Sequence, residues 1–170
     1  GLALISRARG QGREAKKVGL IIKIKTMNNE QILEKIKEEG NLCEFEVFGM
    51  PAKLIRNRNS LCWCGYVGVP KDSILDGVDY SHYCDCEYCN APKHIKQVNE
   101  IRVHGGLTYA RREDRIWYFG FDTAHAGDWM SYLYGYGLDK NSIYRDKEYC
   151  IEQCKSLAKQ FTEILKENNQ

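Results

Sequence analysis

Two histidines and two aspartates stand where apolar runs of the sequence end. His104 lies just before Gly105-Gly106, while Asp122, His125 and Asp128 follow the apolar run IWYFGF, three residues apart. Imidazole and carboxylate groups are ligands of catalytic metal ions, and an imidazole beside a carboxylate can act as a general base. The four are therefore candidate catalytic residues. The architectural alternative, which we favour, is that Asp122 caps the turn after a strand and His125 is a satisfied buried histidine.

A cysteine-rich segment at about residues 71–97 is a second candidate site. It contains the spacing C-x-C-x-x-C, and a C-x-C pair precedes it. Closely spaced thiolates suit a tetrahedral zinc ion, and a loop poor in apolar residues gains order from one. The candidate ligands of one structural zinc ion are Cys84, Cys86, Cys89 and His82, with Cys62 and Cys64 as alternatives. Unpaired thiols without a metal are an equal alternative, whereas nothing marks the chain as a secreted, disulfide-bonded protein.

Aromatic and arginine residues indicate a third kind of site, one that binds a ligand. Trp129, Tyr132 and Tyr134 lie among glycines in WMSYLYGYG, and Arg111 and Arg112 lie in the charged segment ARREDR. Aromatic rings bury much area at little cost in conformational entropy, and arginine side chains bind phosphate. These five residues predict a pocket for a base and a phosphate, with Arg56 and Arg58 as further candidates. The aromatic segment could equally be a lid over the sheet.

The elements that position these residues can be outlined from periodicity and turn residues. Asn28 or Asn29 caps a short helix that Gly40 ends. Alternation indicates strands in CEFEVF, AKLIR and LCWCGYVGVP, with a turn at Met50-Pro51, and a hairpin of VHGGLTY and IWYFGF closed by the loop ARREDR. The apolar positions from Cys150 to Leu165 share one face of a long helix. We therefore predict an α+β fold, a mainly antiparallel sheet of about five or six strands packed by a long C-terminal and a short N-terminal helix.

Length and charge limit the kind of protein. The 170 residues suffice for a hydrophobic core, and no apolar run approaches the roughly 18 residues of a membrane span. Residues 1–26 carry seven Lys/Arg and one Glu, whereas residues 27–170, the single predicted domain, carry 18 basic and 22 acidic residues. This mildly acidic domain disfavours nucleic acid as a partner and leaves oligomerisation open. The basic leader is either a disordered arm or sequence upstream of a native start at Met27, and the abrupt change in composition favours the second.

Four blocks of the sequence resemble a family of small, uncharacterised proteins of bacteriophages and prophages. The blocks are WCGYVGVP (63–70), VHGGLTY (103–109), WYFGFDTAHAGD (117–128) and YRDKEYCIEQCKSLAKQ (144–160), in order along the chain. The resemblance implies a phage or prophage origin and action in the cytoplasm of a bacterial host. It implies no catalytic residues, and the cysteine-rich segment lies outside it.

The functional expectation rests on this resemblance and on the absence of a nucleophile motif, a phosphate-binding loop or a dinucleotide fingerprint. We expect a non-catalytic accessory protein that counters or redirects host processes, host defence included. It would bind a host protein or a small nucleotide through the central loop and the aromatic segment. The alternative is a metal-dependent hydrolase that acts on a nucleotide or phosphoester through His104, Asp122, His125 and Asp128.

Overall fold

The computed structural model describes residues 27–81, 92–131 and 141–168. The described elements are helix α1 (Asn29–Glu39), strands β1 (Leu42–Val47), β2 (Met50–Arg56) and β3 (Trp63–Val69), helix α2 (Lys93–Asn99), strands β4 (Tyr109–Glu113) and β5 (Ile116–Asp122), and helix α3 (Lys147–Asn168). The strands form one sheet in the order β1-β2-β3-β5-β4, and every neighbouring pair is antiparallel. The predicted α+β fold is therefore confirmed.

Helix α1 begins and ends where the sequence predicts. The side chain of Asn28 accepts a hydrogen bond from the Gln31 backbone N–H, and the Gln31 side chain accepts one from the backbone N–H of Asn28. This reciprocal pair satisfies two donors that the first turn of a helix leaves free. Gly40 ends the helix at a φ of 74°, in the left-handed region that glycine adopts at low cost.

The core lies between one face of the sheet and helix α3. The predicted apolar stripe of α3 is buried, including Cys150 and Cys154, neither of which is exposed at all. Phe161 of α3 packs against Phe119 of β5, with ring centroids 5.0 Å apart. Each such buried ring or aliphatic side chain contributes about 1.5–3 kcal/mol to stability. The core thus fixes α3 across the sheet.

Both hairpin turns differ from the sequence prediction. The β1–β2 turn consists of Phe48 and Gly49, so that Met50-Pro51 belongs to β2. The β4–β5 turn consists of Asp114 and Arg115, so that most of ARREDR is strand. All four turn residues have positive φ, the conformation that matches the twist of a two-residue hairpin. Because neither turn has the usual Asn-Gly or Asp-Gly sequence, the length of each loop was overestimated.

Two further segments correct the sequence prediction. Residues 103–108 are not a strand but a tight turn, in which the backbone N–H of Gly106 donates to the carbonyl of Val103 at 2.9 Å. The end of the cysteine-rich segment is helical from Lys93 onward, and α2 buries Val98 against the core. This tertiary contact stabilises a helix too short to show a clear apolar period.

Described helices cover only one face of the sheet. Helix α3 packs on the core face, and side chains that alternate with the core residues point to the other side, which we call the open face. The open face carries Glu44, Glu46, Lys53, Cys64, Tyr66, Tyr109, Arg111, Tyr118 and Asp122. Within the described residues, no helix combines the length and the apolar character needed to cross a membrane.

Candidate functional site

The loop that follows β5 is held in place from both sides. The backbone N–H and the hydroxyl of Thr123 both donate to the carbonyl of Trp63, at 3.1 and 3.0 Å. Farther along, the backbone N–H of Ile143 donates to the carbonyl of Gly127, and that of Trp129 donates back to the carbonyl of Ile143, both at 2.9 Å. These bonds fix Asp122, His125 and Asp128 next to the start of α3.

Asp128 is the centre of a buried polar cluster. One carboxylate oxygen, Oδ1, accepts from Arg145 Nε at 2.8 Å. The other, Oδ2, accepts from His104 Nε2 at 2.7 Å and from the backbone N–H of His125 at 3.1 Å. The Asp128 side chain is only 2% exposed, so these three donors replace the water that a carboxylate otherwise binds.

His104 connects this carboxylate to helix α3. Since an ionised carboxylate can only accept, the ring proton of His104 sits on Nε2 in its bond to Asp128. In the neutral ring, Nδ1 then accepts from the hydroxyl of Tyr149 at 2.8 Å. The backbone N–H of His104 also donates to Gln153 Oε1 at 2.9 Å, which anchors the glycine turn to α3.

Asp122 and His125 form the outer part of the cluster. Asp122 accepts from the hydroxyl of Thr108 and from the backbone N–H of Ala124, at 2.9 and 3.0 Å. His125 Nε2 lies 3.4 Å from Asp122 Oδ1, but it is buried and has no hydrogen-bond partner among the residues that the structure describes. A Cβ atom at position 105 would overlap this nitrogen, so the ring of His125 rests directly on the glycine backbone. The ring centroids of His104 and His125 are 5.5 Å apart.

The structure therefore brings all four candidate catalytic residues together, but it does not arrange them as a metal site. Among the described residues, the group whose ligand atoms all lie within 4.8 Å of one another is Glu39, Asp146 and Glu148 instead. The ammonium group of Lys35 lies within 4 Å of each of those three carboxylates, and Glu39 is paired with Arg56 as well. That second group is therefore an ion-pair network on the surface of the α1–α3 contact.

Cys62 and Cys64, the alternative ligands of the candidate zinc site, lie within the described residues, and burial favours the protonated form of both thiols. Cys62 Sγ donates to the carbonyl of Trp129 at 3.3 Å, and burial raises the pKa of the Cys62 thiol to about 11. Burial and the nearby Asp122 carboxylate also raise the pKa of Cys64. The other candidate ligands, His82, Cys84, Cys86 and Cys89, lie outside the described residues, and the zinc site stays a prediction.

The described members of the predicted nucleotide pocket do not share a surface. Arg111 points to the open face, whereas Arg112 points to the other side, where it pairs with Asp76 at 2.7 Å. Both lie near the turn end of the β4–β5 hairpin, and Trp129 lies beyond the opposite end of β5, buried against α1. Tyr132 and Tyr134 lie outside the described residues.

Arg56, a further candidate for that pocket, is equally unsuited to it. Its side chain is 1% exposed and pairs with Glu39 at 2.9 Å. Its guanidinium also donates to the carbonyls of Gly40 and Leu61 and lies over the ring of Trp63. The prediction placed Arg56 at a turn because β2 was expected to end there, but the long-range partner Glu39 holds it inside.

Sequence reasoning missed the ordered network on the open face. Lys53 lies over the rings of Tyr66 and Tyr118, at 5.6 and 4.5 Å from their centroids, and pairs with Glu113. The hydroxyl of Tyr109 donates to the same carboxylate at 2.7 Å. Strand alternation gives the face to which each of these residues points, but their contacts depend on the order of strands, which the sequence alone does not show.

Comparisons of the chain with models of protein families, with curated proteins and with solved structures each gave no match. The interpretation of the cluster therefore rests on its own geometry. That geometry is a closed set of hydrogen bonds around Asp128 and His104, with His125 at its margin.

Proposed function

We propose that this chain is a phage- or prophage-encoded accessory protein that counters or redirects host processes by binding a host protein or a small nucleotide without chemically altering it. The observation that carries this proposal is that the side-chain polar atoms of Asp122, Asp128 and His104 are all hydrogen-bonded within the protein, with His125 Nε2 as the exception in the cluster. Both oxygens of Asp128, both of Asp122 and both ring nitrogens of His104 are engaged within the protein. A metal-dependent hydrolase needs such lone pairs directed at a common ion, which supports binding over hydrolysis.

The cluster gives the neighbouring loops a fixed shape, which suits a binding surface. Gly105, Gly106, Thr108 and His125 surround it on two loops, and all four are exposed or half-buried. Loops that are already ordered lose less conformational entropy when they bind a ligand. We therefore place the ligand contact at this rim. Tyr132 and Tyr134 follow next in the chain after Ser131, whose backbone N–H donates to the carbonyl of Ser60, and they stay candidate contacts.

The four blocks that resemble phage proteins meet at this cluster. The first block supplies the Trp63 carbonyl, the second His104, the third Thr123 to Asp128, and the fourth Arg145 and Tyr149. Residues spread from position 63 to position 149 thus converge on one place. This supports the view that the blocks belong to the working surface. The phage origin and the action in the bacterial cytoplasm are part of the same proposal and rest on the resemblance of these blocks.

The proposal is tested by asking whether a bound molecule leaves the protein unchanged. The purified chain is dialysed against nucleoside mono-, di- and triphosphates with Mg²⁺ or Mn²⁺. In a second experiment it is exposed to proteins of a bacterial host. The material retained in each experiment is identified by mass spectrometry. We expect a retained nucleotide or host protein that is recovered intact, and weaker retention by a folded His125→Ala variant. A hydrolysed product that the His125→Ala variant no longer forms would replace this proposal with the hydrolase.

Metal content is a second measurement that distinguishes the binding protein from the hydrolase. We propose one structural zinc ion held by Cys84, Cys86, Cys89 and His82, and expect one equivalent of zinc in the wild-type chain and none in a Cys84/Cys86/Cys89→Ser variant. The measurement is elemental analysis after dialysis. A metal that persists in this variant but is lost from a folded His104→Ala variant would point to the His104 and Asp128 cluster and favour hydrolysis. Metal-free protein in both cases would contradict the zinc proposal and leave the binding proposal intact.

A further inference from the structure

Both edge strands of the sheet place charged side chains on the open face. The edge strand β1 presents Glu44 and Glu46, both exposed, while the opposite edge strand β4 presents the exposed Arg111. Between them lies the network of Lys53 and the tyrosines, in which the Lys53 charge is already balanced by Glu113. The face therefore has an acidic edge at β1, an aromatic centre, and an opposite edge at β4 where Arg111 lies beside Glu113, the partner of Lys53.

The two charged edges lie at the same height along the strands. Glu46 pairs with Pro51 of β2, and Arg111 pairs with Tyr118 of β5, which in turn pairs with Gly68 of β3. Because Ala52 pairs with Val67, the next residues, Pro51 and Gly68, are also level with each other. Glu46 and Arg111 therefore end one lateral row of the open face.

We propose that two copies of this chain pack open face to open face, about a two-fold axis that runs parallel to the strands over β3. This axis places β1 of each copy across from β4 of its partner and keeps each lateral row level. Glu46 then meets the partner's Arg111, and the same contact forms a second time by symmetry. The two side chains together bridge the roughly 10 Å between packed sheets.

The same arrangement sets large side chains opposite small ones. Tyr118 of one copy faces Pro51 of the other, and Lys53 faces Gly120, which has no side chain. Tyrosine and proline have complementary flat surfaces, and tyrosine is enriched at the centres of protein interfaces. Mixed charge with an acidic edge disfavours nucleic acid as the occupant of this face. A second copy pairs Glu46 of each chain with Arg111 of the other, because these two positions lie on the same lateral row and carry opposite charges. Glu44, the other exposed acid of β1, is level with Tyr109 instead.

A charge reversal and its compensation test the proposal on the full chain. Sedimentation velocity over a range of concentrations is compared for wild type, Glu46→Arg, Arg111→Glu and the double variant, with Glu34→Arg on the exposed side of α1 as control. We expect a wild-type dimer, a dissociation constant about tenfold higher in each single variant, and recovery in the double variant, since two symmetric ion pairs are reversed and then restored. The control variant should dimerise like wild type.

Three results would overturn the proposal. A wild-type chain that stays monomeric at every concentration has no such interface. A dimer that neither single reversal weakens uses another surface. A double variant that is weaker than both single variants shows that Glu46 and Arg111 do not meet across the interface. Circular dichroism of each variant checks that a loss of dimer is not a loss of fold.

Discussion

Two buried ionic clusters join distant parts of this chain. They differ in how far their side chains are shielded from solvent and in whether every polar atom is paired. In the first, Glu39 accepts from Arg56, Trp63 and Tyr144 through one oxygen, at 2.9, 3.0 and 2.6 Å. Its second oxygen accepts from the backbone N–H of Lys147 at 3.1 Å. The Glu39 and Arg56 side chains are 5% and 1% exposed, and this cluster reaches the surface through Lys35, whose ammonium group lies 3.9 Å from the second oxygen of Glu39.

The cluster around Asp128 is similar at its centre and different at its edge. Its carboxylate is as deeply buried as Glu39, yet the side chains of its partners Arg145 and His125 are 26% and 33% exposed. It also contains a ring nitrogen, His125 Nε2, that has no hydrogen-bond partner among the described residues, although Asp122 Oδ1 lies 3.4 Å away. Such a nitrogen, like Ser73 Oγ elsewhere in the fold, is open to a water molecule or to a polar group of a ligand. We therefore regard the Glu39 cluster as architecture and the Asp128 cluster as the base of a binding surface.

The largest expected effect is from Glu39→Gln. This change removes the charge that balances Arg56, whose buried guanidinium cannot reach water, and we expect a loss of about 3–5 kcal/mol in the free energy of unfolding. Urea denaturation measures it, with Glu38→Gln, an exposed neighbour on α1, as the matched control. A loss below about 1 kcal/mol, the scale of an exposed ion pair, would show that Arg56 finds another partner and that the cluster is not closed.

The same cluster predicts how stability depends on pH. Burial acts to raise the pKa of Glu39, but hydrogen bonds from Tyr144, the Lys147 backbone, Trp63 and Arg56 outweigh it and hold the pKa below the ordinary value of 4.5. A carboxyl group with a lowered pKa stabilises the fold above its unfolded-state pKa, and this contribution is lost as the pH falls through the folded-state pKa. The stability gap between wild type and Glu39→Gln should therefore be constant near neutrality and narrow below pH 4.5. A difference in the free energy of unfolding between the two proteins that does not change with pH would contradict a lowered pKa for Glu39.

A smaller effect is expected from Asp128→Asn. Arg145 is partly exposed and can turn to water when its partner loses charge, so we expect a loss of about 1–3 kcal/mol in the free energy of unfolding. The measurement is urea denaturation beside Glu39→Gln under the same conditions. Equal losses in the two variants would remove the distinction between a closed and an open cluster. Weaker ligand retention by folded Asp128→Asn protein would support its role in shaping the rim.

The two clusters also show what the sequence could predict. The helices, the core face of α3 and most strands follow from local patterns, such as Asn28 with Gln31 or the apolar stripe from Cys150. The candidate set from His104 to Asp128 was found because its members are polar groups at the ends of apolar runs. Arg56 was misplaced since its partner Glu39 lies 17 residues earlier, across β1.

Contacts between distant segments account for the features of the site and the fold that local sequence patterns do not predict. Tyr149, Gln153 and Arg145 complete the Asp128 cluster, yet in the sequence they resemble any polar residues at the start of a helix. Only the packing of α3 against the sheet brings them to His104. The turn at Asp114-Arg115 was missed for a similar reason, because strand pairing imposes a positive φ on both residues and arginine, unlike aspartate, does not favour one by itself.

The smallest expected effect concerns the contact between the His125 ring and the backbone of Gly105. Gly105 and Gly106 have φ values of 66° and 86°, so alanine at either position costs about 1 kcal/mol or slightly more in backbone strain. A Cβ at 105 also overlaps the His125 ring, whereas a Cβ at 106 has nothing within 4 Å. Gly105→Ala should therefore destabilise the protein more than its control Gly106→Ala, by about 1 kcal/mol in the free energy of unfolding.

A double-mutant cycle with His125→Ala isolates this contact. Removal of the ring should make Gly105→Ala no more costly than Gly106→Ala, which gives a coupling of about 1 kcal/mol for position 105 and none for position 106. Thermal or urea unfolding of the six proteins measures both couplings. Equal couplings at the two glycines would mean that the ring does not rest on Gly105. The distinction between the Asp128 cluster and the more deeply buried Glu39 cluster would then rest on the exposure of Arg145 alone.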